Sequence, residues 1–140
     1  MKHTFLWSAF VVFAMLILAP FGCGKPTSPM ESASPQPAVS TGPVVRAVYL
    51  FNSEACQCEK TRNEEAEGVI ANVLSGQTDV RPLERVDVAK SPSELERYQK
   101  LAQFTIMPVL LGFNDRGQVV RKFEGFLKEP QVESVLLPTL

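Results

Sequence analysis

Hydrophobic and polar positions change their spacing several times from residue 44 onward. Val44–Phe51 is an almost continuous apolar run rich in β-branched and aromatic residues, which predicts a buried strand. Apolar residues then recur at helical spacing, at Ala66, Val69, Ile70, Val73 and Leu74. This spacing predicts an amphipathic helix, which Gly76 terminates. Val80–Val88 predicts a second strand.

The second half of the chain continues this alternation of strands and helices. Ser91–Pro92 predicts the start of a second helix, with the serine as cap and the proline at the first helical position. Pro108–Phe113 and Gln118–Phe123 predict two strands joined by a hairpin turn at Asn114–Gly117. A last helix opens at Glu129–Pro130. The order β-α-β-α-β-β-α predicts an α/β domain.

Residues 1–43 have a different pattern. Lys2 precedes the apolar run Phe5–Ala19, which is short for a membrane span and is followed by small residues, as is typical of a secretory signal peptide. We therefore predict a signal peptide at 1–22, a Pro/Ser-rich tether at 23–43 and a globular domain at 44–140. The alternative for the apolar run is a permanent N-terminal anchor.

Composition and charge narrow the possible chemistry. The chain has 140 residues and a formal net charge of −1, so it lacks the basic excess of nucleic-acid-binding proteins, and we expect no nucleic-acid partner. The one histidine, His3, falls in the predicted signal peptide. A mature domain without histidine excludes Ser-His and Cys-His nucleophile pairs and histidine-bearing zinc sites.

A pair of cysteines, Cys56 and Cys58, follows the first predicted strand and precedes the first helix. The N-terminus of a helix stabilises a thiolate, which is the form of cysteine that attacks disulfides and binds soft metals. Ser53 as helix cap would place both cysteines in the first turn. Thr61, with a glutamate three residues later, forms an alternative capping box that would leave them in the preceding loop.

The end of the predicted signal peptide, Leu18–Lys25, resembles the lipobox of bacterial lipoproteins. Gly22 stands before Cys23 as in that motif, whereas Pro20 and Phe21 depart from its usual residues. The resemblance implies that Cys23 is acylated and becomes the new N-terminus. Acyl chains would anchor the protein to a membrane, facing the periplasm or the cell exterior.

The element order with a cysteine pair after the first strand resembles the thioredoxin fold. Phe51–Cys56 is similar to the strand that leads to the active cysteine of that family. Thr105–Phe113 is similar to the segment that holds its cis-proline. Asn114–Gly117 and Gly125 match its hairpin and the glycine after it. The resemblance covers residues 44–140 and implies a central mixed sheet flanked by helices.

The same resemblance implies roles for residues outside the cysteine pair. In the family, the cis-proline loop lies beside the cysteines and offers backbone groups to a bound substrate chain. This implies that the bond before Pro108 is cis and that Met107 and Pro108 line a substrate groove. No organic cofactor and no metal is expected, because thiol–disulfide exchange runs through a mixed disulfide.

Three positions depart from the family pattern. Only Gln57 separates the two cysteines, where the family has two residues, and Ala55 replaces an aromatic residue. A disulfide across one residue closes a tight ring, which we expect to be strained and hence more oxidising. Leu50 occupies the place of a buried acid, which argues against a strong general reductase.

These observations predict a membrane-tethered, extracytoplasmic thiol–disulfide oxidoreductase. Cys56 would be the exposed attacking thiolate, and Cys58, deeper toward the helix and more covered, would resolve the mixed disulfide. Its partners would be protein thiols and disulfides, together with a redox partner protein. Oxidase, isomerase and reductase directions stay open.

Two other interpretations of the cysteine pair are open. In one, Cys56 and Cys58 bind Cu(I), for which thiolates are soft ligands, and Met107 supplies a thioether across the groove. In the other, the two cysteines form a local structural disulfide without turnover.

Overall fold

The computed structural model describes residues 40–138, and the predicted signal peptide and most of the tether lie outside these residues. The described chain is an α/β unit of four strands and three helices. In chain order the elements are β1 (Arg46–Phe51), α1 (Gln57–Leu74), β2 (Leu83–Asp87), α2 (Pro92–Ala102), β3 (Val109–Phe113), β4 (Val119–Glu124) and α3 (Glu129–Leu136). This order is the predicted one. None of the three helices is long and apolar enough to span a bilayer.

The four strands form one mixed sheet in the order β2-β1-β3-β4. β1 runs parallel to β2, with α1 as the crossover, and antiparallel to β3. β3 and β4 form the predicted hairpin. Because β1 and β3 are the central strands, their apolar runs are buried on both faces, as the continuous hydrophobic pattern predicted.

The sheet separates two hydrophobic cores. Successive side chains of a strand point to opposite faces, so Tyr49 packs with α1 and α3 while Val48 and Leu50 pack with α2. All three side chains are fully buried. The helices therefore cover both faces of β1 and leave only its ends free to lead into other segments.

Two strands begin two or more residues later than predicted, and the other strand boundaries lie within one residue of the prediction. β1 begins at Arg46 rather than Val44, although Val44 is buried against Gly112 of β3, where an added Cβ would lie 2.9 Å from a valine methyl carbon. β2 begins at Leu83 rather than Val80. Arg81, directly before Pro82, lies outside the strand because it turns toward α3. Its guanidinium donates hydrogen bonds to the carbonyls of Val135 and Leu137, at the end of that helix. The periodicity of apolar residues along the chain gives no information about these tertiary contacts.

The turn that leaves β1 is fastened to the end of β2 by Asp87. The amide and hydroxyl of Ser53 donate to the two oxygens of this carboxylate at 3.1 and 2.6 Å. Ala89 donates its amide at 3.2 Å, and the Lys90 ammonium lies 3.1 Å away. The bonds from Ser53, with those from Lys90 and Ala89, lower the pKa of Asp87 to about 2.

We expect Asp87 to make stability depend on acidity. Its folded pKa, about 2, lies below the ordinary value of 3.8, so its stabilisation is complete above pH 4 and is lost as the pH falls toward 2. Asp87→Asn should lower the free energy of unfolding by about 1–3 kcal/mol at pH 7, because charged hydrogen bonds are lost. Denaturant titrations at pH 7, 4 and 2 should show the gap between variant and wild type closing at the lowest pH.

The control is Asp79→Asn, since Asp79 is exposed and makes no ion pair or side-chain hydrogen bond within residues 40–138. An Asp87→Asn gap that is no larger than that of the control, or that persists unchanged at pH 2, would contradict the role given to this carboxylate.

Candidate functional site

The cysteine pair lies on the connection between β1 and α1. Asn52 begins this connection, and its side-chain oxygen accepts the amide of Glu54 at 3.0 Å, which tightens the turn. The side-chain amide of Asn63, a buried residue of α1, donates to the carbonyl of Asn52 at 3.0 Å. With the bonds from Ser53 to Asp87, the connection is held from both α1 and β2.

Cys56 is the N-cap of α1, and Cys58 lies in the first helical turn. The carbonyl of Cys56 accepts the amides of Glu59 and Lys60, each at 3.0 Å. Both predicted caps were therefore wrong. The Ser53 hydroxyl is engaged by Asp87 instead of the helix, and the Thr61 hydroxyl donates to a carbonyl within α1 at 3.1 Å.

The sulfur atoms of Cys56 and Cys58 are 2.7 Å apart, in hydrogen-bond contact, and neither is part of a disulfide within the described chain. Both residues are exposed. Cys58, predicted to be the more covered of the two, is thus also at the surface, because one turn of helix does not carry it into the core. The two thiols differ clearly in their electrostatics.

The electrostatic difference is clear in the direction of the two pKa shifts. The hydrogen bond from the Cys58 thiol, followed by the bond from the Glu59 amide, lowers the pKa of Cys56. The same contact raises the pKa of Cys58, since donation to Cys56 stabilises its protonated form. The pair therefore loses its first proton from Cys56 and keeps the other proton on Cys58.

Arg62 and Phe126 extend the site beyond the residues that were predicted. Arg62 lies four residues after Cys58, on the same face of α1, and its charge partly offsets the raised pKa of that thiol. Its guanidinium carbon is 5.9 Å from the centre of the Phe126 ring. Helical spacing from Cys58 points to Arg62 from sequence alone, whereas no sequence signal connects Phe126 with the cysteines.

The loop of Met107 and Pro108 lies at the same end of the sheet as the cysteine turn. Leu50 pairs with Val109, so Pro108 stands opposite the end of β1. The Met107–Pro108 peptide bond is cis, as predicted, and the Pro108 carbonyl accepts the amide of Gly125 at 2.8 Å. Gly125 leads directly to Phe126, which brings the loop after β4 to this edge as well.

The surface around this edge is apolar. Ile106 is 47% exposed and Phe126 is 65% exposed, which makes them the two most exposed large hydrophobic side chains of residues 40–138. Met107 is half-buried against the core beside α2. Leu50, at the position where an acid would have been expected, is fully buried in that core.

Within 40–138, no cluster of three or more His, Cys, Asp or Glu side chains has the arrangement of a metal site. Cys23, predicted to be lipidated, lies outside this range. The candidate site thus consists of the two thiols, the neighbouring guanidinium of Arg62, and two partly exposed apolar loops, one carrying Ile106 and Met107 and the other carrying Phe126.

Comparison with known proteins adds little to this description. No protein-family model matches the sequence, and no curated protein matches it. A solved structure of a malarial protein aligns at 16% sequence identity over 66% of this chain and 92% of its own, with a TM-score of 0.43. A likeness this distant supports no statement about family or activity, so the function must be inferred from the geometry of the cysteine pair.

Proposed function

We propose that the protein is a thiol–disulfide oxidoreductase with a thioredoxin-like fold. The observation that carries the proposal is the cysteine pair itself: two exposed sulfurs in contact at 2.7 Å, with pKa values displaced in opposite directions. A dithiol active in exchange needs one thiolate that attacks the substrate disulfide and a second thiol that later resolves the mixed disulfide. This pair has both, at the start of an 18-residue helix that favours negative charge there.

The topology supports the fold assignment. A parallel β-α-β unit is followed by a helix, an antiparallel hairpin and a final helix, around the strand order β2-β1-β3-β4. The cysteines follow β1, and the cis bond before Pro108 precedes β3, the strand beside β1. These are the relations expected from the resemblance to thioredoxins.

The proposed reaction begins with attack by the Cys56 thiolate on one sulfur of a substrate disulfide. A mixed disulfide forms, and the other substrate sulfur leaves as a thiolate. Cys58 then gives up its proton to water and attacks the Cys56 sulfur, which releases the second substrate thiolate. The substrate has gained two electrons, and Cys56 and Cys58 are left as a disulfide.

Every step of this exchange is reversible, so the same residues oxidise a substrate dithiol when the pair starts as a disulfide. The direction depends on the reduction potential of the pair relative to that of its partner protein. No cofactor takes part. Met107 and Pro108 line the substrate groove in this proposal, with the exposed Ile106 and Phe126 on its borders.

The exposure of the cysteine pair favours exchange over a purely structural role. A purely structural disulfide has no need of two exposed sulfurs, while exchange with another protein requires access to at least one.

We further propose that the domain is tethered to a membrane through acylated Cys23. The support is the sequence Gly22-Cys23 after an apolar run, followed by a Pro/Ser-rich stretch long enough to hold the domain away from the lipid. An oxidising extracytoplasmic compartment is also where disulfide exchange has substrates.

Replacing Cys23 with Ser should release the protein from the membrane fraction, because the acyl attachment atom is lost. Fractionation together with labelling by a radioactive fatty acid measures this. Ser28→Ala in the tether is the control and should stay in the membrane fraction. Lipid labelling that survives Cys23→Ser would refute the anchor.

The reactivity of Cys56 should show its lowered pKa. Alkylation by iodoacetamide, followed across pH by peptide mass spectrometry, should reach half its maximal rate at Cys56 below the ordinary thiol value of about 8.5. Cys58→Ala removes the donated hydrogen bond and should raise this midpoint, so that less thiolate is present at neutral pH. Gln57→Ala, between the cysteines, is the control and should leave it in place. A midpoint insensitive to Cys58→Ala would contradict the assigned proton sharing.

The order of attack should be visible in trapped complexes. Cys58→Ser should accumulate mixed disulfides with substrate proteins, since attack by Cys56 still occurs but resolution does not. Cys56→Ser should accumulate few. Non-reducing gels of both variants, expressed in the native compartment, make the comparison. Equal trapping would remove the role assignment, and trapping by neither would favour the metal or structural interpretation.

A further inference from the structure

The segment that carries Met107 and Pro108 is held by a carboxylate of the neighbouring strand. Glu124 is the last residue of β4, and one oxygen of its side chain accepts the amides of Thr105 and Ile106 at 3.0 and 3.4 Å. These two amides come directly before Met107. The side chain is 30% exposed, so the contacts are partly shielded from water.

A second side chain of β4 completes this attachment. The Lys122 ammonium donates to the carbonyl of Gln103 at 2.8 Å and lies 3.7 Å from the other carboxylate oxygen of Glu124. Lys122 and Glu124 pair with Leu111 and Val109, two residues whose side chains face α2, so both point to the α2 side of the sheet. Together they hold the backbone that descends from α2 toward Pro108.

The backbone of this segment has no regular secondary structure to hold it. Residues 103–108 belong to neither helix nor strand, and Gln103 has a positive φ of 40°. Within residues 40–138, no backbone carbonyl accepts the amide of Thr105 or Ile106. A pocket of about 450 Å³ opens beside the segment, lined in part by Thr105, Lys122 and Glu124. Polar contacts from β4 therefore fix the backbone of Thr105 and Ile106, between Phe104 and Met107, whose side chains pack against the core beside α2.

We propose that Glu124 is a positioning residue for the substrate groove. By binding the amides of Thr105 and Ile106 it sets where Met107 and Pro108 stand relative to the cysteines. The amide of the next residue, Gly125, donates to the Pro108 carbonyl at 2.8 Å, so the end of β4 and the residue after it hold the loop on both sides of the cis bond. This inference rests on the proposed function and adds a residue that governs how a polypeptide substrate is placed, without touching the thiol chemistry.

The test separates placement of a substrate from reactivity of the thiol. A fluorescent peptide with an internal disulfide, given to the reduced full-length protein in detergent, reports on the groove. Alkylation of Cys56 by iodoacetamide, followed by peptide mass spectrometry, reports on the reactivity of that thiol without the groove, because a reagent of this size needs no groove. Glu124→Ala should lower kcat/KM for the peptide roughly tenfold, mainly through KM. The loop of Met107 and Pro108 would be displaced, and the peptide would then be bound less well in the orientation needed for attack. The rate and pH midpoint of alkylation should stay within about twofold of wild type.

Two further variants separate positioning from general damage. Glu124→Gln keeps an oxygen acceptor for both amides and should retain most of the peptide activity. Glu96→Ala removes an exposed glutamate of α2 that makes no ion pair or side-chain hydrogen bond in the described chain, and it should behave as wild type. Amide hydrogen exchange at Thr105 and Ile106 should accelerate in Glu124→Ala and not in Glu96→Ala.

The outcomes are distinguishable. Glu124→Ala with wild-type peptide kinetics, or with unchanged exchange at Thr105 and Ile106, would overturn the inference. So would an alkylation profile that shifts as much as the peptide kinetics, because the effect would then lie in the thiols. If Glu124→Ala does not fold, Lys122→Met supplies the same comparison through the Gln103 carbonyl. A wild-type protein that exchanges no disulfide would refute the proposed function itself.

Discussion

The burial of β1 is the constraint on which the rest of the structure depends. Its four inner residues are buried, with β2 on one side and β3 on the other, and helices cover both faces. A strand held in this way has no freedom to shift its register without exposing an entire set of apolar side chains. The point at which the chain leaves the sheet is therefore fixed, and with it the position of the cysteine turn.

Polar contacts then hold the connection between β1 and α1 in one conformation. Asp87 holds Ser53, and Asn63 holds the carbonyl of Asn52, so the chain between β1 and α1 cannot swing freely. The result is that Cys56 becomes the cap of α1 and Cys58 follows in the first turn, with their sulfurs in contact. Cysteines separated by one residue meet here because the helix begins between them.

The two edges of the candidate groove are stabilised by different interactions. On the cysteine side the helix N-terminus and the shared proton favour one thiolate. On the opposite side, the loop before β3 is held by Glu124 and Lys122 of β4 and by Gly125, the residue after it. Both sides depend on pairing with β1 or with its neighbour β3, so a single sheet positions the thiols and the loop of Met107 and Pro108, the two sides of the proposed groove.

Much of this architecture follows from the sequence. The run at Val44–Phe51, the helical spacing through α1 and the turn at Asn114–Gly117 are local patterns, and local patterns report directly on periodicity and turn geometry. They determined the number, type and order of the elements. The cis bond at Pro108 also agreed with prediction, through a resemblance that spans the whole segment around it.

What the tertiary structure decided were the features that depend on long-range partners. Ser53 looked like a helix cap, but Asp87, 34 residues away, takes its hydroxyl, and the helix starts at Gln57 instead. Cys58 was expected to be covered, yet a helix N-terminus at the surface leaves both thiols exposed. Arg81, Phe126 and Glu124 acquired their contacts in the same way. The sequence determined which residues form strands and helices, since that depends on neighbours along the chain. The folded sheet alone determined which distant side chains meet, because hydrogen bonds and ion pairs form only where the packing of the two cores has brought their partners within reach.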